Sequence, residues 1–174
     1  MKIVYFGFTL FTLASFSQAP ILRASEYQVQ QYSQSSNFCS STIKKISSEL
    51  ETKGVTYAYA IYEKGGAKGH AGNPTQRVDD VHFKLNPYKK GIPTTATAAS
   101  KNSGKIENVL NSPILMKSWA DRIVNNCTNV AAVYFWQDQS DYGKSFAIQS
   151  NGKTFQRQCV DWQNPPRWNN MICV

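Results

Sequence analysis

The run Val130 to Trp136 (VAAVYFW) constrains this chain more than any other segment. It is nearly all apolar, so both faces of a strand built from it need cover. It reads as a central strand of a sheet, not an edge. The flanking residues supply the cover and the neighbours. Upstream, Ser112-Pro113 opens a helix, with a capping hydroxyl and Pro at the first helical position. Leu115, Trp119 and Ile123 recur at i, i+4 and i+8, with Met116 and Ala120 beside them, and Asn125-Asn126 ends the helix. Downstream, Gln137 to Lys144 is a polar turn. Ser145 to Gln149 and Lys153 to Val160 then flank Ser150 and Asn151-Gly152, the dipeptide favoured in two-residue hairpin turns. Such a turn sets Ile148 opposite Phe155 and Phe146 opposite Arg157.

The first half is written more loosely. Ser40-Ser41 can cap a helix from Thr42 to Lys53, with Ile43, Ile46 and Leu50 on one stripe and Gly54 as its stop. Val55 to Tyr62 alternates as a strand does. A glycine-rich loop from Gly65 to Pro74 follows. Arg77 to Leu85 alternates again, with Val81, Phe83 and Leu85 facing one way and His82 and Lys84 the other. The two strands form a long-looped hairpin. Residues 87–105 show no period and read as a low-complexity surface loop. The tail from Asp161 to Val174 carries Trp162, Pro165-Pro166, Trp168 and Cys173, and reads as an irregular segment laid over the sheet. The expected fold is α+β: a single antiparallel sheet with two helices packed on one face, closed by two disulfides.

The disulfides follow from the N-terminus. Met1-Lys2, an apolar run from Ile3 to Phe16, and small residues around Ala19 and Ala24 have the layout of a secretory signal peptide. The run is shorter than the roughly 20 residues a membrane span needs. The expected division is a signal peptide over 1–24, a flexible Gln- and Ser-rich lead-in over 25–38, and one domain over 39–174. The mature protein is then secreted or periplasmic, with no transmembrane segment. In that oxidising setting, Cys39, Cys127, Cys159 and Cys173 read as two bridges with three pairings open. The expected pairs are Cys159–Cys173, closing a short loop, and Cys39–Cys127, tying the halves together. No C-x-x-C spacing occurs, which speaks against a zinc site or a thioredoxin-type redox pair.

The stretch from Ser112 to Cys173 resembles a group of small secreted proteins found mainly in cyanobacteria. The resembling pieces are SPILMKSWADRIVNNC, the strand VAAVYF, the segment SFAIQSNGKTFQRQC and the Trp168…Cys173 ending. The resemblance implies secretion and a compact αβ unit, and carries over no catalytic residue. That group often has Gly directly after the Phe of the strand, where this chain has Trp136.

Few residues point to chemistry. His70 and His82 are the only histidines, and Lys84 shares a strand face with His82. Two His and a Lys can cleave RNA by general acid–base catalysis. The loop Gly65 to Gly72 is no Walker motif, since no Gly-Lys-Ser/Thr closes it and no helix follows. No G-x-S-x-G and no calcium loop is present, and neither a metal nor a cofactor is expected. The formal charge is +8, falling to +6 without the signal segment, with basic residues scattered rather than massed. Nucleic acid is therefore the less favoured of the polyanions that such a charge attracts. The leading expectation is a non-enzymatic binding domain for an anionic polymer or a protein partner. Its expected contacts are Lys64, Lys68, Trp162, Arg167 and Trp168. The alternatives are a secreted hydrolase, foremost a ribonuclease using His70 and His82, and an inhibitor or structural envelope protein.

Overall fold

The computed structural model describes residues 37–55, 58–88, 96–160 and 167–172. The expected signal peptide, most of the lead-in, Trp162 and Cys173 lie outside the described residues.

The α+β class holds, but the sheet is mixed and the described residues include three helices where two were expected. The order is α1 (Asn37–Thr52), β1 (Ala58–Glu63), β2 (Asp79–Leu85), α2 (Ala96–Leu110), α3 (Pro113–Asn126), β3 (Val130–Gln137), β4 (Gly143–Ile148) and β5 (Thr154–Gln156). The main sheet runs β1-β2-β3-β4-β5, with β3 at its centre as its apolar run demands. All neighbours pair antiparallel except β2 and β3. Between those two the chain runs through α2 and α3, a crossover that returns it in the same direction. That makes the pair parallel. Helix α2 occupies much of the segment expected to be a loop. Its Ala, Ser, Lys and Gly residues show no stripe until Ile106, Val109 and Leu110, which are buried in the core.

The helices cover one sheet face. Val81, Phe83 and Leu85 of β2 and Val133 and Phe135 of β3 meet Ile43, Ile46 and Leu50 of α1 and Met116, Trp119 and Ile123 of α3 there. Trp119 leans on Phe135 at 5.9 Å between ring centroids. Glu49 joins α1 to α3, accepting from Trp119 Nε1 at 2.7 Å and Arg122 Nη1 at 2.9 Å. The Arg122 bond holds its carboxyl below the usual range. Asp121 accepts from the Thr154 N–H and hydroxyl, both at 2.7 Å, and so fastens β5 to α3. The expected capping hydroxyls are not used, although Ser112 is the N-cap of α3 and Gly54, at φ +84°, ends α1 as expected. Ser112 Oγ donates back to Asn108 O, and Ser41 Oγ to Phe38 O in a helix that starts earlier than expected.

The β4–β5 hairpin corrects the expected register. Gln149 N donates to Lys153 O, so Ser150, Asn151 and Gly152 form a three-residue loop with Gly152 at φ +80°. Ala147 therefore faces Phe155, and Arg157 N donates to Ser145 O. A slip of one residue reverses every side chain in a strand. Arg157, expected opposite Phe146, is instead set beside Ser145 and lies on the face turned away from the helices.

Disulfide Cys39–Cys127 joins α1 to the end of α3, as expected. It is the one bridge whose two halves both lie among the described residues, where none of the cysteines is free. The tail is more regular than expected. Its strand β7 (Asn170–Ile172) pairs in parallel with β6 (Gln158–Val160) as a separate two-stranded sheet.

Candidate functional site

The face turned away from the helices carries the polar residues. Register places Glu63 beside Asp80, His82 beside Tyr134, and Lys84 beside Trp136. Tyr134 in turn faces Ser145, and Trp136 faces Gly143. A Cβ at Gly143 would stand 2.2 Å from the Trp136 ring, so the indole lies flat where only glycine leaves room.

The rings form a stack along this face. His82 lies on Tyr134 at 4.3 Å and 6°, and Tyr134 neighbours Trp136 at 5.9 Å and 9°. The Lys84 ammonium stands 5.6 Å from the Trp136 ring centre. His82 Nε2 is 3.1 Å from Glu63 Oε2, without the alignment of a hydrogen bond. Burial pushes the His82 imidazole below its ordinary range and Lys84 adds to this, while Glu63 opposes it.

A segment from Lys64 to Val78 folds over one end of the face. Asp79 starts it, accepting from Tyr62 Oη at 2.7 Å and Gly65 N at 2.9 Å. Gly66 then passes so close to the Asp80 carboxylate that a Cβ there would sit 2.9 Å from Oδ2. Arg77 closes the segment by donating to the Val124 carbonyl near the end of α3 and to the Val130 carbonyl at the start of β3. Ala71 bridges to Arg167, and Trp168 N donates to Ala71 O at 2.7 Å. The loop and the tail thus meet over the sheet.

Arg157 lies beneath them, 2 % exposed. Its guanidinium stacks on Trp168 at 4.5 Å and sits 5.5 Å from the Tyr134 ring centre. Nε donates to Trp168 O at 2.9 Å and Nη1 to the Tyr134 hydroxyl. Burial holds that phenol up at about 12. His70 meets Trp168 edge-on at 6.0 Å and is pushed down by burial and then by the Arg157 charge. Asp80, also 2 % exposed, is pushed up to about 7 by burial, with Arg157 opposing.

The expected site residues divide accordingly. His82 and Lys84 share the open face, and His70 joins them through Trp168 and Arg157 rather than through Lys84. Lys64, Lys68 and Arg167 are exposed on the covering segments. Trp168, expected as a surface contact, is instead packing: it is 5 % exposed, and its Nε1 donates to Ile148 O at 2.9 Å. Glu63, Asp80, Tyr134, Ser145 and Arg157 were not expected as site residues. The alternation that put His82 and Lys84 on one side of β2 was the legible signal for this face. Arg157 was hidden by the register of its hairpin. No group of three or more His, Cys, Asp or Glu that could hold a metal occurs among the described residues. No helix among them is long and apolar enough to cross a membrane. No family model, curated protein or solved structure matches the chain.

Proposed function

We propose that the chain is an exported, disulfide-stapled binding domain that takes an anionic polymer on its open sheet face without transforming it. Export, the second staple Cys159–Cys173 and kinship with the small cyanobacterial secreted proteins belong to the same proposal. The observation that carries it is the ladder His82–Tyr134–Trp136 with Lys84 standing on Trp136. Its accessible end joins the half-buried Trp136 ring to the Lys84 cation on a face that no helix among the described residues covers, with His82 and Tyr134 lying deeper, while Lys64, Lys68 and Arg167 stand exposed on the segments around it. Polymers of repeating negative charge are held by such scattered cations, with affinity that falls as salt rises. Chromatography on heparin tests this. The wild-type protein is expected to elute at higher salt than a neutral protein of its size, and Lys84→Glu to elute earlier. Elution of the wild type with the neutral control refutes the reading.

One observation favours a second reading, the ribonuclease. The Arg157 charge acts on both His70 and His82, and Glu63 stands 3.1 Å from His82. A neutral imidazole beside a carboxylate is suited to taking a proton from a ribose hydroxyl. If RNA cleavage is detected and His70→Ala and His82→Ala leave it untouched, this reading fails.

A further inference from the structure

Buried polar atoms without partners concentrate around Arg157. Arg157 Nη2, Ser145 Oγ, Asp80 Oδ1, His70 Nδ1 and His82 Nε2 are all buried and lack a hydrogen-bond partner. Arg122 Nη2 is the one other such atom among the described residues. Each of the five belongs to one neighbourhood. Ser145 pairs with Arg157 through the backbone and faces Tyr134, on which His82 stacks. His70 shares the Trp168 ring with the guanidinium. Asp80 neighbours His82 on β2 and feels the Arg157 charge, yet the two make no ion pair within 4.0 Å. Three of the five side chains, those of Arg157, Ser145 and Asp80, are at most 2 % exposed.

Native interiors rarely leave such groups unsatisfied, because each costs on the order of 1–3 kcal/mol. Buried opposite charges that do not touch ask for something between them. That something must accept from a guanidinium and a hydroxyl and also give a proton to a carboxylate. Water can do both weakly. A phosphate that carries a proton does both with charge: its ionised oxygens suit Arg157 and Ser145, and its P–OH suits Asp80 Oδ1. Sulfate, with no proton to give, would set its charge against Asp80.

We infer that Arg157, Ser145 and Asp80, with His70 and His82 beside them, form an internal site for a protonated phosphate, either inorganic phosphate or a small phosphate monoester. The loop and tail joined by the Ala71–Arg167 bridge close over it, so a polymer on the outer face does not reach it. The inference is independent of the polymer reading: Lys84→Glu is expected to weaken heparin retention and leave phosphate binding intact.

Titration calorimetry of the full chain at pH 7, where Asp80 is partly ionised and phosphate and its monoesters are still partly protonated, tests it, with inorganic phosphate, glycerol phosphate and sulfate as probes and thermal unfolding as a second readout. Phosphate is expected to bind and to raise Tm, while sulfate at the same concentration does neither. Binding of inorganic phosphate alone identifies the free anion as the ligand, and binding of glycerol phosphate as well identifies a monoester. Ser145→Ala is expected to weaken binding about tenfold, as loss of one charge-assisted hydrogen bond does. Asp80→Asn should erase the preference for phosphate over sulfate. The inference is overturned if phosphate gives neither heat nor a Tm shift, which leaves water alone in the site. It is overturned equally if sulfate binds as well as phosphate, or if both variants bind and discriminate as the wild type does.

Discussion

At the scale of single residues, Asp80 is the group whose position costs most. The Gly66 backbone lies over it, Glu63 and Asp79 add negative charge from β1 and β2, and only Arg157 and the Ala132 N–H oppose them. Its carboxyl is raised from 3.8 to about 7. A carboxyl raised on folding stabilises the native state while protonated, so its contribution is complete below pH 4 and is lost as pH climbs through 7. His70 and His82 tilt the other way. Their folded pKa values are depressed, so their contribution is present above the ordinary imidazole range and is lost in acid. Asp80→Asn is therefore expected to gain stability over the wild type at pH 8 and to lose that gain by pH 4. Urea unfolding at both pH values measures this. An equal difference at both would mean that Asp80 does not change its protonation on this path. The sequence marked His82 and Lys84 because alternation alone assigns a strand face. It did not mark Asp80, because an Asp in a strand looks like a solvated residue until the loop above it is placed.

At the scale of elements, the hairpin between β4 and β5 decides where Arg157 goes. The Asn-Gly dipeptide correctly signals a turn, but the loop length sets the register, and the sequence fits either two or three residues. In the structure Gly152 takes φ +80° in a three-residue loop with no atom near the place of its Cβ. Its requirement is thus purely conformational. Gly152→Ala should cost about 1 kcal/mol, while Gly152→Asn should cost less, since Asn tolerates the left-handed region. Equal losses for the two variants in chemical denaturation would show that the turn is not held in that conformation. A related ambiguity hid α2. Its sequence is short on apolar residues until its last turn, so periodicity had nothing to register. With that helix missed, the β2–β3 connection read as a loop followed by α3, and the parallel pairing was not read from it. The strands themselves were legible, because β2 and β3 follow simple rules of alternation and full burial.

At the scale of the whole molecule, the Cys39–Cys127 bridge spans 88 residues and encloses β1, β2 and both crossover helices. Its native neighbourhood is already tied: Glu49 links the same two helices, and both cysteines sit in the core at 1 % exposure. The bridge therefore adds little to the folded state that packing does not supply. Its main effect falls on the unfolded chain, whose freedom it restricts. For a loop of this length the chain-entropy argument gives about 4.6 kcal/mol. Replacing both residues, Cys39→Ala with Cys127→Ala, also removes two small buried side chains and should lower stability by about that amount or slightly more. The distinguishing sign is in the denaturant slope. A chain freed of the crosslink exposes more surface when it unfolds, so the m-value in urea should rise as the midpoint falls. A falling midpoint with an unchanged slope would place the loss in the folded core instead. The bonds from Trp119 and Arg122 to Glu49 would then be the contacts through which the bridge holds α1 against α3.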